Sequence, residues 1–479
     1  MRRIPLFLLM LVPMLALARP SGHQWYSVLL DGRKIGSFES ERRVRGDTVT
    51  TRQRLDIEFD RAGTRITMGS SESSEETRAG KPLAFTSVAK LSSNETRIEG
   101  RVDGDRLKVS ISNGGATEQR ELAWPEGALL AEGLRLASLR TPLTEGGEHR
   151  ELSFQPSSLA AIDVATTIGA RERIELPGGT KSLVRVEQVF DFAGAPVLNT
   201  AWIDEERDVY KLTMPAIGVE LTLLACDKAC ANAPNQRSDV FERTLMPSPR
   251  ALGNSELSTT LRYTISPRNH DAPMNIPDTS EQSVRRSGED LIVEVHRDAR
   301  AGVGGTPLPA DTMPNDWLQS TAPDLVALAA KATTGIDDDF ERMQALESFV
   351  RTFISNKTLG VGYASALQVV RKPEGDCTEH AVLLAAMGRS LGIATRVVDG
   401  LVYTPRFDGV EHVFVPHAWM QAWINDRWQS FDAALTGFDA GHIAFSSGDG
   451  DPWRFYQGLD LLGRTRLKQV EALGPASLQ

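Results

Sequence analysis

Cysteine is scarce in this sequence, with three residues in 479. A basic excess is missing as well, since 53 Lys and Arg face 63 Asp and Glu for a formal net charge of -10. Binding along a phosphate backbone needs clustered cations that displace counterions, so no nucleic-acid partner is expected. Beyond residue 17 no apolar run is long enough to cross a bilayer, and no membrane span is expected. Repeats of solenoid period and low-complexity tracts are absent too. What is present is an ordinary globular composition, 41% hydrophobic and 24% charged, in a chain with room for two or three domains.

The sequence begins with the basic Met1-Arg2-Arg3, continues through the apolar Ile4 to Leu17, and offers small residues at Ala16-Leu17-Ala18. That order reads as a secretory signal peptide, residues 1–18, cleaved after Ala18. The run is shorter than the roughly 20 residues of a spanning helix and contains Pro5 and Pro13. With no cysteine near the cleavage point, lipid attachment there is excluded. The mature protein is expected to be free in the periplasm or secreted. In such a compartment Cys226 and Cys230 read as a disulfide, with two buried thiols as the alternative; a bridge requires a helical or tightly turned backbone between them. Cys377 is then left unpaired.

From His23 to about Val240 short alternating segments are broken by Gly, Asp and Asn, as in Trp25 to Leu30 before Asp31-Gly32 and Leu107 to Ile111 before Asn113-Gly114-Gly115. Period-two patterning with turn dipeptides predicts antiparallel β-sheet, and charged residues at alternate positions place one face in solvent. Residues 19–245 are therefore read as a β-rich N-terminal domain, a curved sheet or open barrel. Residues 246–314 form a small β-rich segment and linker, with strands at Leu257 to Ile265 and Leu291 to Val295 and a Pro- and Gly-bearing link from Ala301 to Pro314. The period then changes. Phe340, Met343, Leu346, Phe349, Val350, Phe353 and Ile354 mark the core stripe of a helix behind the acidic start Asp337-Asp338-Asp339, and a shorter helix is expected from about Pro323 to Ala332. Residues 315–479 are assigned to a third, α+β domain.

Chemistry concentrates in Gly375-Asp376-Cys377-Thr378-Glu379-His380-Ala381. Asp376 with Glu379 fits a capping box, and Gly392 supplies the stop, so Cys377 falls in the first turn of a helix. There the unpaired amides and the positive end of the dipole favour thiolate over thiol, and the same amides can hold an oxyanion. Acyl transfer also needs a general acid for the leaving amine. His417 opens an alternating strand to Trp423, and a tight Asn425-Asp426 turn leads back through Trp428 to Asp432. Antiparallel pairing would set His417 beside Asp432, whose carboxylate fixes the imidazole's tautomer.

The run Gly-Asp-Cys-x-Glu-His-Ala, then Leu-Gly-Ile-Ala-Thr-Arg-Val-Val, then His-Ala-Trp and Trp-x-x-x-Asp resembles the bacterial transglutaminase-like superfamily over about residues 317–445. The resemblance implies a papain-like arrangement with Cys377 as nucleophile, His417 as general acid/base and Asp432 as orienter. It also implies that Trp428 packs beside the strand carrying Asp432, and that Arg396 and Gly400 belong to the strand after the helix. Many relatives read Asp-Pro-Thr where this chain has Asp432-Ala433-Ala434. An oxyanion-hole side chain lies upstream in the family, which nominates Tyr363 or Gln368. Glu379 reads as a cap and His380 as a packed or exposed residue, both outside the catalytic set. His380, His412, His417 and His442 come with neither HExxH nor paired Cys spacing, so no metal and no cofactor are expected. The set Trp419, Trp423 and Trp428 is read as core behind the site.

The function expected is an exported cysteine enzyme that cleaves or transfers an amide or isopeptide acyl group of a protein or peptide substrate through a Cys377 thioester. Hydrolysis is favoured, because bacterial relatives are more often hydrolytic and water is abundant. The alternatives are a protein-glutamine acyltransferase that cross-links amines, and a non-catalytic envelope-binding protein. The long β-rich region carries the expectation of a cell-envelope ligand.

Overall fold

The computed structural model describes residues 22–473 apart from 62–63, 92–93, 114–115, 193–194, 217–218, 240–243, 269–274, 301–303, 360, 362 and 451–464. The expected signal segment 1–18 and the Gly114-Gly115 turn lie outside the described residues. The chain divides into two compact units, one of residues 1–60 and 65–238 and the other of residues 239–479 together with 61–64.

In the first unit fourteen strands, β1 (Gly22–Leu30) to β14 (Val219–Cys226), build a single antiparallel sheet. Each pairs with its neighbours in sequence, except that β8 (Ala116–Ala123) and β9 (Glu148–Gln155) form the two edges and β1 pairs with β14. Alternation selects the buried face: within the segment 160–176, Ile162, Val164, Thr166 and Ile168 are buried while Asp163 is exposed. The Asp31-Gly32 turn has φ of 49° and 76°, the positive pair that matches strand twist in a two-residue hairpin. Phe154 on the edge strand β9 joins a core with Phe85, Ile98, Leu107 and Val109, its ring 5.4 Å from that of Phe85 and 4.4 Å from that of Trp124. The sheet is therefore curled. Helix α1 (Ala131–Arg140) links the edges, and the Glu76 carboxylate accepts from the Glu132 and Gly133 amides at 2.7 and 2.9 Å. After β14 the Asp227 side chain caps α2 (Lys228–Ala231), a turn that brings the Cα atoms of Cys226 and Cys230 within 6.0 Å in a disulfide.

The second unit runs through β15 (Met246–Pro247), α3 (Asn254–Leu257), β16 (Thr260–Pro267), β17 (Gln282–Ser287) and β18 (Asp290–His296). Helices α4 (Pro323–Ala332) and α5 (Asp339–Phe353) follow. The strands β19 (Asn356–Lys357) and β20 (Glu374–Gly375) form a short parallel pair around α6 (Ala366–Arg371), and α7 (Cys377–Ser390) comes next. The chain continues through β21 (Thr395–Phe407), β22 (Val410–Ile424), β23 (Arg427–Phe431), β24 (His442–Gly448) and β25 (Thr465–Leu473).

One sheet has the order β15-β22-β21-β24, with β23 also on β22; the other runs β17-β18-β16-β25. The small β-rich stretch seen in the sequence thus gains its fourth strand from far along the chain. The link before the helices docks on the first of these sheets, where Gly305 O accepts from Trp428 Nε1 at 3.0 Å. On α5 the Asp338 side chain accepts from the Phe340 and Glu341 amides, while Met343, Leu346 and Val350 are buried. Helix α7 is buried from Thr378 to Arg389 and packs on α4, α5, α6, β21 and β22. The described chain is mostly β, with its longer helices concentrated here.

Candidate active site

Local capping decides where α7 starts. Asp376 Oδ1 accepts from the Thr378 amide at 3.0 Å and from its hydroxyl at 2.8 Å. In return Glu379 Oε2 accepts from the Asp376 amide at 2.8 Å, while Oε1 accepts from the Ala364 amide at 2.6 Å. Gly375, at φ 151°, leaves room for that fold-back: a Cβ there would lie 2.4 Å from Glu379 Cγ. Burial, followed by the charge of Asp376, pushes the Glu379 carboxyl up to about 8. Cys377 is therefore the first helical residue, and it is partly exposed. The Thr378 amide, one of those expected to hold an oxyanion, is spent on Asp376.

His380, one turn further, is buried, with Nδ1 2.6 Å from Asp376 O. Burial lowers its pKa, against the opposing hydrogen bond with Asp376 O. Neither nominated oxyanion side chain is idle. The Tyr363 hydroxyl donates to Gly450 O at 2.8 Å, and Gln368 Oε1 accepts from the Ser365 amide at 2.8 Å in a second capping box.

The hairpin β22–β23 turns at Asn425 and Asp426, with φ of 53° and 58°, and pairs Met420 with Phe431 through to Ile424 with Arg427. Asp432 follows directly. His417 Nε2 lies 2.8 Å from Asp432 Oδ2, with both side chains almost fully buried. This bond assigns Nε2 to the carboxylate and leaves Nδ1 as the nitrogen that can exchange a proton with a thiol. Because α7 packs on β22, Cys377 and His417 belong to two elements in direct contact.

Asp432 is held more tightly than a sequence motif conveys. Its Oδ1 accepts from the Ala434 and Leu435 amides at 2.8 and 3.2 Å, which is how the turn closes with Ala433-Ala434 after it. On α5, Glu347 Oε1 accepts from the Asp432 amide at 2.7 Å and an Arg351 Nη2 donates to its carbonyl at 3.2 Å. A second imidazole also reaches Oδ2: His442 Nε2 at 3.1 Å. Burial alone would raise the Asp432 pKa, but the charges and hydrogen bonds of His417 and His442 hold it well below the usual carboxylate range. For His442 burial disfavours the charge, yet Asp432 and Asp439 outweigh that and push it up to about 9.

In the sequence His442 stands out only as one of the four histidines from His380 onward. Nothing in its spacing signals the contact, which exists because β24 pairs with β21, and β21 with β22. Gly400 on β21 stands opposite both His417 and Ala444, and a Cβ there would lie 2.0 Å from Ile443 O. Trp428 is buried in β23 as expected, with Arg396 4.2 Å over its ring. Trp419 sits beside the site, its ring 6.2 Å from that of His417 and 5.2 Å from that of His442. Among the described residues His417, Asp432 and His442 are also the set whose donor atoms, within 4.8 Å of one another, could hold a cation.

Residues 326–433 match the model of the transglutaminase-like superfamily. The second unit therefore contains a transglutaminase-like domain over those residues. No curated protein matches the chain. Among solved structures, a β-barrel-like protein from Brucella abortus is 12% identical over 44% of this chain and 98% of its own, with a TM-score of 0.36. A protein from Cytophaga hutchinsonii, provisionally named a cysteine protease, is 15% identical over 47% of this chain and 85% of its own, with a TM-score of 0.28. A provisionally named protease from Parabacteroides distasonis is 8% identical over 75% and 69%, with a TM-score of 0.21. No helix among the described residues is long and apolar enough to cross a membrane.

Proposed function

We propose that this protein is an exported cysteine hydrolase that attacks an amide or isopeptide bond of a protein or peptide through Cys377, with His417 as acid/base and Asp432 as its orienter. The observation that carries the reading is the buried 2.8 Å bond between His417 Nε2 and Asp432 Oδ2, on a strand against which the helix headed by Cys377 is packed. The thiolate adds to the carbonyl carbon. His417 gives its Nδ1 proton to the leaving amine as the C–N bond breaks, and a thioester remains. Water, deprotonated by the same nitrogen, then releases the acid and regenerates the thiol.

Transfer to an amine shares every step up to the thioester, and the presence of bulk water favours hydrolysis. The purified protein, incubated with envelope extract and a labelled primary amine, is expected to release ammonia or new amino termini without incorporating label. Incorporation as the main product would make it a transferase. In either case iodoacetamide should alkylate Cys377 well below the pH at which a model thiol reacts, and Cys377→Ala should abolish turnover while unfolding stays cooperative. Export after cleavage at Ala18 is tested by sequencing the amino terminus of the mature protein. The size of the curled sheet motivates an envelope ligand for the first unit; recovery of the full chain from envelope extracts without any bound component would count against it.

A further inference from the structure

Asp432 carries one imidazole more than a Cys-His-Asp site requires. His442 Nε2 lies 3.1 Å from the same Oδ2 that receives His417, and its Nδ1 lies 3.0 Å from Asp439 Oδ1 and 3.1 Å from Asp439 O. The ring is 1% exposed and packs at 4.8 Å against Phe438 and 5.2 Å against Trp419. With water shut out, the N–H that points at Asp432 has no substitute acceptor.

We propose that His442 is a positioning residue that fixes the Asp432 carboxylate for His417, so that the site works as a Cys377-His417-Asp432-His442 relay. This rests on the cysteine-enzyme reading above. A carboxylate held by one imidazole can swing as that imidazole moves during proton transfer. Here Oδ1 is pinned by the Ala434 and Leu435 amides and Oδ2 by His442, so its orientation is set independently of His417.

The charge balance is also set. The titratable groups facing His442 are Asp432 after β23, Asp439 on the loop before its own strand, and His417 on β22, whose ring is 5.8 Å away. Two carboxylates around one imidazolium leave a single net negative charge, which is the charge a protonated His417 needs opposite it.

The test needs no substrate. The rate of Cys377 alkylation by iodoacetamide is measured from pH 5 to 10 for the full-length protein and for His442→Leu, His442→Gln, Asp439→Asn and His417→Ala, with thermal unfolding of each. Folded His442→Leu is expected to lose at least about tenfold in rate at pH 6 and to approach the profile of a model thiol. His442→Gln, which keeps a donor toward Asp432, should stay within about threefold of wild type, a rescue that a purely structural role would not give. Should His442→Leu fail to fold, Asp439→Asn decides, because it leaves the Asp432 contact in place and is expected to move the profile the same way by a smaller amount. An unchanged profile in folded His442→Leu overturns the proposal, as does an unchanged profile in Asp439→Asn when His442→Leu does not fold. Equal losses in the Leu and Gln variants also overturn it. Collapse of the wild-type profile on EDTA dialysis, restored by zinc, would show that these groups hold a cation instead and overturn it too. If His417→Ala also leaves the profile unchanged, the cysteine-enzyme reading itself fails; if only the His442 variants do, that reading survives.

Discussion

Replacing Asp432 by Asn looks conservative and, in this site, is not. The carboxylate accepts on every side, from His417 and His442 at Oδ2 and from the Ala434 and Leu435 amides at Oδ1. An amide offers one oxygen, so in either orientation its NH2 faces two N–H donors. If the oxygen keeps the turn, the NH2 confronts the imidazoles, and His442 has lost a carboxylate that helps hold its proton. His442 is pushed up to about 9 against an ordinary 6.5 by Asp432 and Asp439 together, so forfeiting its charge entirely would cost about 3 kcal/mol, and Asp439 keeps part of that. Breaking one side of a buried charged pair independently suggests about 3–5 kcal/mol.

For a unit of this size about 3 kcal/mol lowers the melting temperature by roughly 10 °C. The pH dependence has a definite sign. A raised His pKa gives stability that is fully present below about 6.5 and lost as pH rises through about 9. The depressed Asp432 adds stability that is present above the ordinary aspartate value and lost only as pH falls through its folded one. The gap between wild type and Asp432→Asn should therefore be widest from about pH 4 to 6.5 and should narrow toward pH 9 and above, where the His442 part is lost and the Asp432 part remains. Calorimetric melts across that range measure it. A gap that stays constant from pH 6 to 10, or one below about 0.5 kcal/mol, would refute the reasoning.

Gly400→Ala brings a Cβ to 2.0 Å from Ile443 O and 3.0 Å from Ala444 Cα, both backbone, so β24 must shift and carry His442 with it. The expected cost is about 2 kcal/mol or more, with slower alkylation of Cys377; an unshifted melt would mean that the strand gives way freely. The double variant Cys226→Ser with Cys230→Ser removes a bridge across a very short loop. Loop entropy assigns it about 2 kcal/mol in the first unit, with no effect on Cys377 alkylation, and a change in that alkylation would contradict the expectation.

The elements that frame the site were legible because local rules govern them. The stripe from Phe340 to Ile354, the Asp376–Glu379 capping box and the Asn425-Asp426 turn each act over a few residues, and α5, the start of α7 and the β22–β23 hairpin appear where those signals lie. The alternation that predicted antiparallel sheet did the same for the first unit, without revealing which strands would become its edges. Tyr363 and Gln368 show the opposite case. Residue type and upstream position nominated them as oxyanion donors, whereas the partners they take depend on the fold: the Tyr363 hydroxyl donates to Gly450 O, and Gln368 Oε1 accepts from the Ser365 amide, a bond that does not involve its donor NH2.

The sequence by itself determined that a cysteine would head a helix and that a histidine and an aspartate would face each other across a two-residue turn, since caps and tight hairpins are written in consecutive residues. Only the tertiary structure decided how Asp432 is held: by Glu347 and Arg351 on a helix some eighty residues earlier, and by His442 on a strand that reaches it across β21. Those contacts depend on sheet order and helix packing, which arise from burying whole faces at once, and no local spacing encodes them.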